Sequence, residues 1–196
     1  MHDFPMPVDE LYDPARHEPL IDRPWDEARV RDAVRAIGDE AWSAVDPVTG
    51  LWRMHPLDGP DTPETCSANL YWGATGVAWA LRHLAAQGAI SLSHDLRPWI
   101  ASYPARVLAE AAHEQHGTAS CLFGESAALL LAWLEARDAA TADRLYALVV
   151  ANHENPTWEP MWGSPGTMLV AVFMAEASGA PRWGACVRSQ LVRLAD

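Results

Sequence analysis

Three stretches of this chain open alike, and each opening leads into a helix-length run that is apolar on every side. They read YWGATGVA from Tyr71, LFGESAAL from Leu122 and MWGSPGTM from Met161. Each sets an aromatic residue before a glycine, then two small or polar residues, then Gly or Ala and the apolar run. Gly73, Gly124 and Gly163 are separated by 51 and then 39 residues, within the range of helical-hairpin repeats. The apolar runs, 71–86, 122–136 and 161–177, alternate with runs that carry one apolar stripe, 95–114, 139–152 and 181–194. A helix apolar all round is buried all round, whereas a striped one lies on the outside. The alternation predicts an all-α fold in two concentric layers, with the apolar helices forming the inner ring.

The rest of the chain fits around this repeat. Pro24 opens a further striped helix with Asp26 and Glu27 in its first turn, where the helix dipole favours acids. Its apolar positions are Val30, Ala33, Val34, Ile37, Ala41, Trp42 and Val45, and the DPVTG stretch at 46–50 ends it. Residues 1–24 carry five prolines and read as an extended arm; residues 51–70 read as a long loop. The domain division is therefore an arm, 1–24, and a single helical domain, 25–196. Gly73, Gly124 and Gly163 suit tight turns into helices, and Gly76 and Gly166 suit close backbone approach. Ser164 and Pro165 supply an N-cap and a first-turn proline.

Composition narrows the function classes. The chain is 49% hydrophobic and 20% charged, which excludes a disordered polymer. Its 14 basic residues are all Arg, against 26 acids, for a net charge of −12. That argues against a nucleic-acid or anionic-membrane partner, both of which need a basic surface. No run of apolar residues is long enough for a membrane span, and the first residues lack an apolar signal core. Cys66, Cys121 and Cys186 lie far apart and suggest no disulfide framework. The expected location is cytoplasmic.

If the inner helices begin at one end of the ring, their N-termini present N–H groups and polar tips to a common ligand, a peptide or small molecule. The candidate binding residues are Trp72, Gly73, Glu125, Trp158, Trp162, Gly163 and Ser164. Trp79, Trp133 and Trp183 fall within helices and read as core. Glu125 and Glu159 each lie close to an inner-helix start. As a pair they would flank a glycosidic bond in an α/α-barrel carbohydrate-active enzyme; as single residues they are a capping and a loop acid. His113, His116 and Cys121 have metal-type spacing without a fourth ligand, so no metal is assigned. His153-Glu154-Asn155 reads as a polar turn. Ser164 has no evident His/Asp partner set and is no nucleophile. A purely helical interaction module is a third reading.

WGATGVAWAL, FGESAALLLAW and NPTWEPMWGSPGTMLVAVFM resemble the GxxG-type repeats of lanthionine synthetase C-like proteins, over roughly residues 70–180. The resemblance implies an α/α toroid and a role in peptide modification. In the cyclases, zinc-activated thiols add to dehydrated Ser or Thr of a precursor peptide; some other members are linked to glutathione. The zinc motifs of that family include a Cys before the Trp-Gly motif and a later Cys-His-Gly. This chain has no Cys-His-Gly; if WGSPG were the first zinc motif, Met161 would hold its Cys position, and otherwise WGSPGT belongs to an earlier repeat. The resemblance therefore implies the amino-terminal half of a toroid, without zinc, with the metal repeats beyond residue 196. Such a half leaves an apolar edge at Val77, Trp79 and Leu81 and at Met168, Val170 and Phe173. A second copy, a carboxyl-terminal half or the 1–24 arm would cover it.

Overall fold

The computed structural model describes residues 22–55, 66–111 and 119–195. The greater part of the expected arm lies outside these residues, as do His113 and His116. The described residues form seven α-helices: α1 Glu27–Ala44, α2 Ala74–Ala86, α3 Arg97–Ala111, α4 Ser126–Ala136, α5 Ala139–Ala151, α6 Ser164–Ser178 and α7 Pro181–Ala195. A 3-10 turn, Asn152–Glu154, follows α5. Among the described residues there is no strand, only isolated bridges that join Val45 to Trp52 and Arg53 to Cys66. The all-α expectation holds. No helix in the described residues is long and apolar enough to cross a membrane.

Helix starts differ from the sequence reading by a few residues, each for a capping reason. α1 begins after Asp26, whose carboxylate accepts the Arg29 N–H at 3.0 Å, so Asp26 and not Pro24 sets its start. α2, α4 and α6 begin after the aromatic-glycine pair rather than at it. Gly163, not Ser164, is the cap of α6, and Pro165 sits in its first turn, where its missing N–H costs nothing. Glu125 occupies the cap position of α4, but its side chain makes no capping bond.

The packing follows the alternation of sequence types. α4 contacts α2 on one side and α6 on the other. α3 packs against both α2 and α4, α5 against both α4 and α6, and α7 against α6. α4 is the most apolar helix and buries seven of its residues, from Ser126 to Leu131 and Trp133. Two core clusters meet on it. One joins Leu129, Leu130 and Trp133 to Leu145, Val149, Val170, Met174 and Trp183. The other joins Leu131 and Ala128 to Ala78, Leu81, Ile100, Tyr103 and Val107. Trp133 and Trp183 are core, as expected.

The expected apolar edge needs correction. Leu81 and Val170 are buried, in the α2–α3 and the α6-side cores respectively, and are not edge residues. Phe173 and Leu169 are exposed, and Trp79 and Phe173 meet edge-on across α4 with ring centroids 5.7 Å apart. α1 is nearly unsupported: its stripe residue Ile37 is 64% exposed, and only Gly38 and Trp42 are buried.

Candidate functional site

The three motif loops are built by one device. The side chain four residues before the glycine accepts the N–H of the aromatic residue just before it. Asn69 takes Trp72 N–H at 2.8 Å, Ser120 takes Phe123 N–H at 3.2 Å and Glu159 takes Trp162 N–H at 2.6 Å. Glu159 also takes Met161 N–H, at 2.7 Å. These turns need tight backbone contact. A Cβ on Gly73 would collide with the Ser67 carbonyl, and one on Gly163 with the Thr157 carbonyl. One turn later, a Cβ on Gly76 or Gly166 would collide with the Leu70 or Pro160 carbonyl, at equal offsets in both repeats.

Successive loops are also bonded to one another. The Leu122 carbonyl, two residues before Gly124, accepts the N–H groups of Leu70 and Tyr71, both at 3.1 Å. The Met161 carbonyl, two residues before Gly163, accepts the Ser120 hydroxyl. The motif aromatics stack along the same line. Phe123 lies 4.9 Å from Trp72 and 5.4 Å from Trp162, nearly parallel to the latter, and Tyr71 packs on both Trp72 and Phe123. Phe123 is buried; Tyr71 and Trp72 are about half exposed.

Beside this ladder a cleft of about 450 Å³ opens between α2, α4 and α6. Leu70 and Leu122 line it from the loops, Trp79 and Phe173 from the flanking helices, and Leu130 from α4. Its titratable groups are His83 and Cys121. Burial pushes the Cys121 thiol up to about 11, so it is neutral near pH 7 and a poor nucleophile or metal ligand. Such a cleft suits apolar groups, with few polar anchors.

The structure thus brings Trp72, Gly73, Trp162, Gly163 and Ser164 into one loop system. Trp158 is set apart, half exposed, with the Arg193 guanidinium above its ring. Glu125 and Glu159 each have a structural partner. Glu159 holds the third loop's backbone. The Glu125 side chain is buried and ion-paired with Arg144 of α5; burial raises its carboxyl pKa and the guanidinium opposes this. Neither carboxylate lines the cleft. His153 gives its carbonyl to Arg193, and Asn155 donates to Asn152 and to the Trp162 carbonyl, so this turn braces the third loop. If MWGSPG were a zinc motif of the cyclase type, Met161 would offer a thioether where the metal needs a thiolate; its backbone is already bonded at both N–H and carbonyl. Sequence reasoning missed Asn69 and Ser120; their signal was a polar side chain four residues before each glycine.

No family model, curated protein or solved structure matches this chain.

Proposed function

We propose that this chain is one flank of an α/α toroid of the lanthionine synthetase C-like type, and that its cleft binds the apolar side chains of a peptide. In this reading it is a binding scaffold for peptide modification, and the bond-forming chemistry belongs elsewhere. The observation that carries it is the threefold loop device. Three helices open through the same bonds, their aromatics stack in one line, and an apolar cleft lies beside that line. The contact order, with α4 between α2 and α6 and a striped helix over each joint, supports the toroid reading.

Trp79 stands in the cleft and serves as its reporter. Titration with a short Leu- and Phe-containing peptide is expected to give a saturable change in tryptophan emission. Trp79→Phe should remove that change, and Leu169→Glu should weaken binding at least tenfold. A same-length peptide with Ser at the apolar positions should not bind. Equal responses to both peptides, or no saturable response, would remove the cleft from consideration.

A further inference from the structure

α1 stands out from the rest of the chain. Residues 22–33 are exposed on every side, and the helix is held to the domain mainly near its C-terminal end. There Gly38 faces Ile90, Trp42 meets His94 edge-on with ring centroids 5.5 Å apart, and the Ala41 carbonyl accepts the Trp52 indole N–H at 2.7 Å. None of the helix pairings that build the bundle includes α1. A helix shorter than about 12–15 residues is marginal in water on its own, so the projecting turns need a cover.

The projecting surface is apolar along one line. At 3.6 residues per turn, Val30, Ala33 and Ile37 fall within about 60° of one another, to one side of the packed positions Gly38 and Trp42. All three are exposed, Val30 at 37% and Ile37 at 64%. Arg29 and Glu40 form a row along the flank of this stripe that faces away from the domain, about three turns apart. Neither has an ion-pair partner among the described residues, whereas Arg31 and Arg35 are paired within the helix to Glu27 and Asp32. Such a pattern is complementary to itself. When two copies of a helix lie antiparallel about a two-fold axis, like flanks meet with their ends exchanged. An axis at the level of Val34 and Arg35 sets Arg29 of each copy against Glu40 of the other. The same register brings Ile37 of each beside Val30 of the other. The two Ala33 residues then meet near the centre, where a small side chain lets the helices approach.

We propose that two copies of this chain associate through α1 as an antiparallel helix pair in this register. Each stripe covers the other, and the two domains, attached near the C-terminal ends of their helices, lie at opposite ends of the pair. A contact confined to one helix is small beside a standard interface, so association in the micromolar range is expected. None of these residues lines the cleft, so the pairing is independent of what the cleft binds.

The test is sedimentation equilibrium of the 196-residue chain from micromolar to millimolar concentration. A monomer–dimer equilibrium is expected. Ile37→Glu should weaken it at least tenfold, whereas Val48→Glu, at an exposed position past the end of α1, should leave it unchanged. Arg29→Glu and Glu40→Arg should each weaken it severalfold, and the double variant, which exchanges the two charges, should restore it. All these positions are exposed, and thermal midpoints taken at the lowest concentration check that each variant's domain is folded. A wild-type chain that stays monomeric throughout overturns the proposal, and the cover of the stripe then lies in residues 1–21 or in another protein. A dimer indifferent to Ile37→Glu overturns it too, as does a charge-exchanged double variant no better associated than its parents.

Discussion

Asn69, Ser120 and Glu159 are chemically unlike but share one acceptor role, and that makes the role testable. Glu159→Ala removes acceptors for two N–H groups and should lower stability by about 1–2 kcal/mol. Glu159→Asn, the residue used in the first loop, should recover much of this. Urea denaturation reads both, and a neutral Glu159→Ala would end the assignment. Glu125 behaves differently because its carboxyl is buried. Its folded-state pKa lies above the ordinary value of 4.5, through burial and against Arg144. Its contribution to stability is therefore full below that ordinary value and is lost as pH rises through the raised one. Denaturation followed over roughly pH 4 to 7 should show Glu125→Gln with a shallower loss on raising pH than wild type. Arg144→Met should show a steeper one, since the opposing cation is gone. Parallel curves for all three would contradict this. Sequence alone showed both acids near helix starts. It did not show their partners: Glu159 bonds locally to backbone, which leaves no trace in composition, and Arg144 reaches Glu125 from another helix.

At the scale of the element, the glycines were the most legible feature. The spacing assigned Gly76 and Gly166 to close backbone approach, and each faces a carbonyl six residues earlier. Gly166→Ala should cost about 1–3 kcal/mol or more, because backbone cannot retreat as a side chain can. The middle repeat has Ala127 at the same place, so its loop tolerates a methyl group there. Ala127→Gly should cost only the roughly 0.5–1 kcal/mol of helix entropy. Thermal melts of the two variants should separate clearly; similar small losses would mean the Pro160 carbonyl can move. The helix starts were less legible, since an aromatic residue before a glycine reads as helical by hydropathy. In the structure Trp72, Phe123 and Trp162 belong to the loops, and their N–H groups are bound by loop side chains. The α1 stripe was legible as periodicity but not as burial, because periodicity says which face is apolar and nothing about whether a neighbour covers it.

The whole molecule is organised about α4. Successive residues of that helix serve different cores: Leu130 belongs to the cluster built with α5, α6 and α7, and Leu131 to the one built with α2 and α3. The alternation of apolar and striped helices made this arrangement readable, since only a helix with neighbours on all sides is apolar all round. The apolar edge was misread at Leu81 and Val170 because an all-apolar helix does not reveal which of its faces stays open. A shared central helix couples the two clusters: neither can lose its packing without exposing α4 to water. The described domain should therefore unfold in a single step. Leu130→Ala and Leu131→Ala each remove a fully buried side chain and should each cost about 2–5 kcal/mol. Each should shift the whole transition and leave its cooperativity intact. Helical circular dichroism and tryptophan emission report on different parts of the molecule, and their midpoints should coincide in wild type and in both variants. If Leu131→Ala instead splits the transition, with the α2–α3 side melting first, then α4 is a boundary between two units and not their common core.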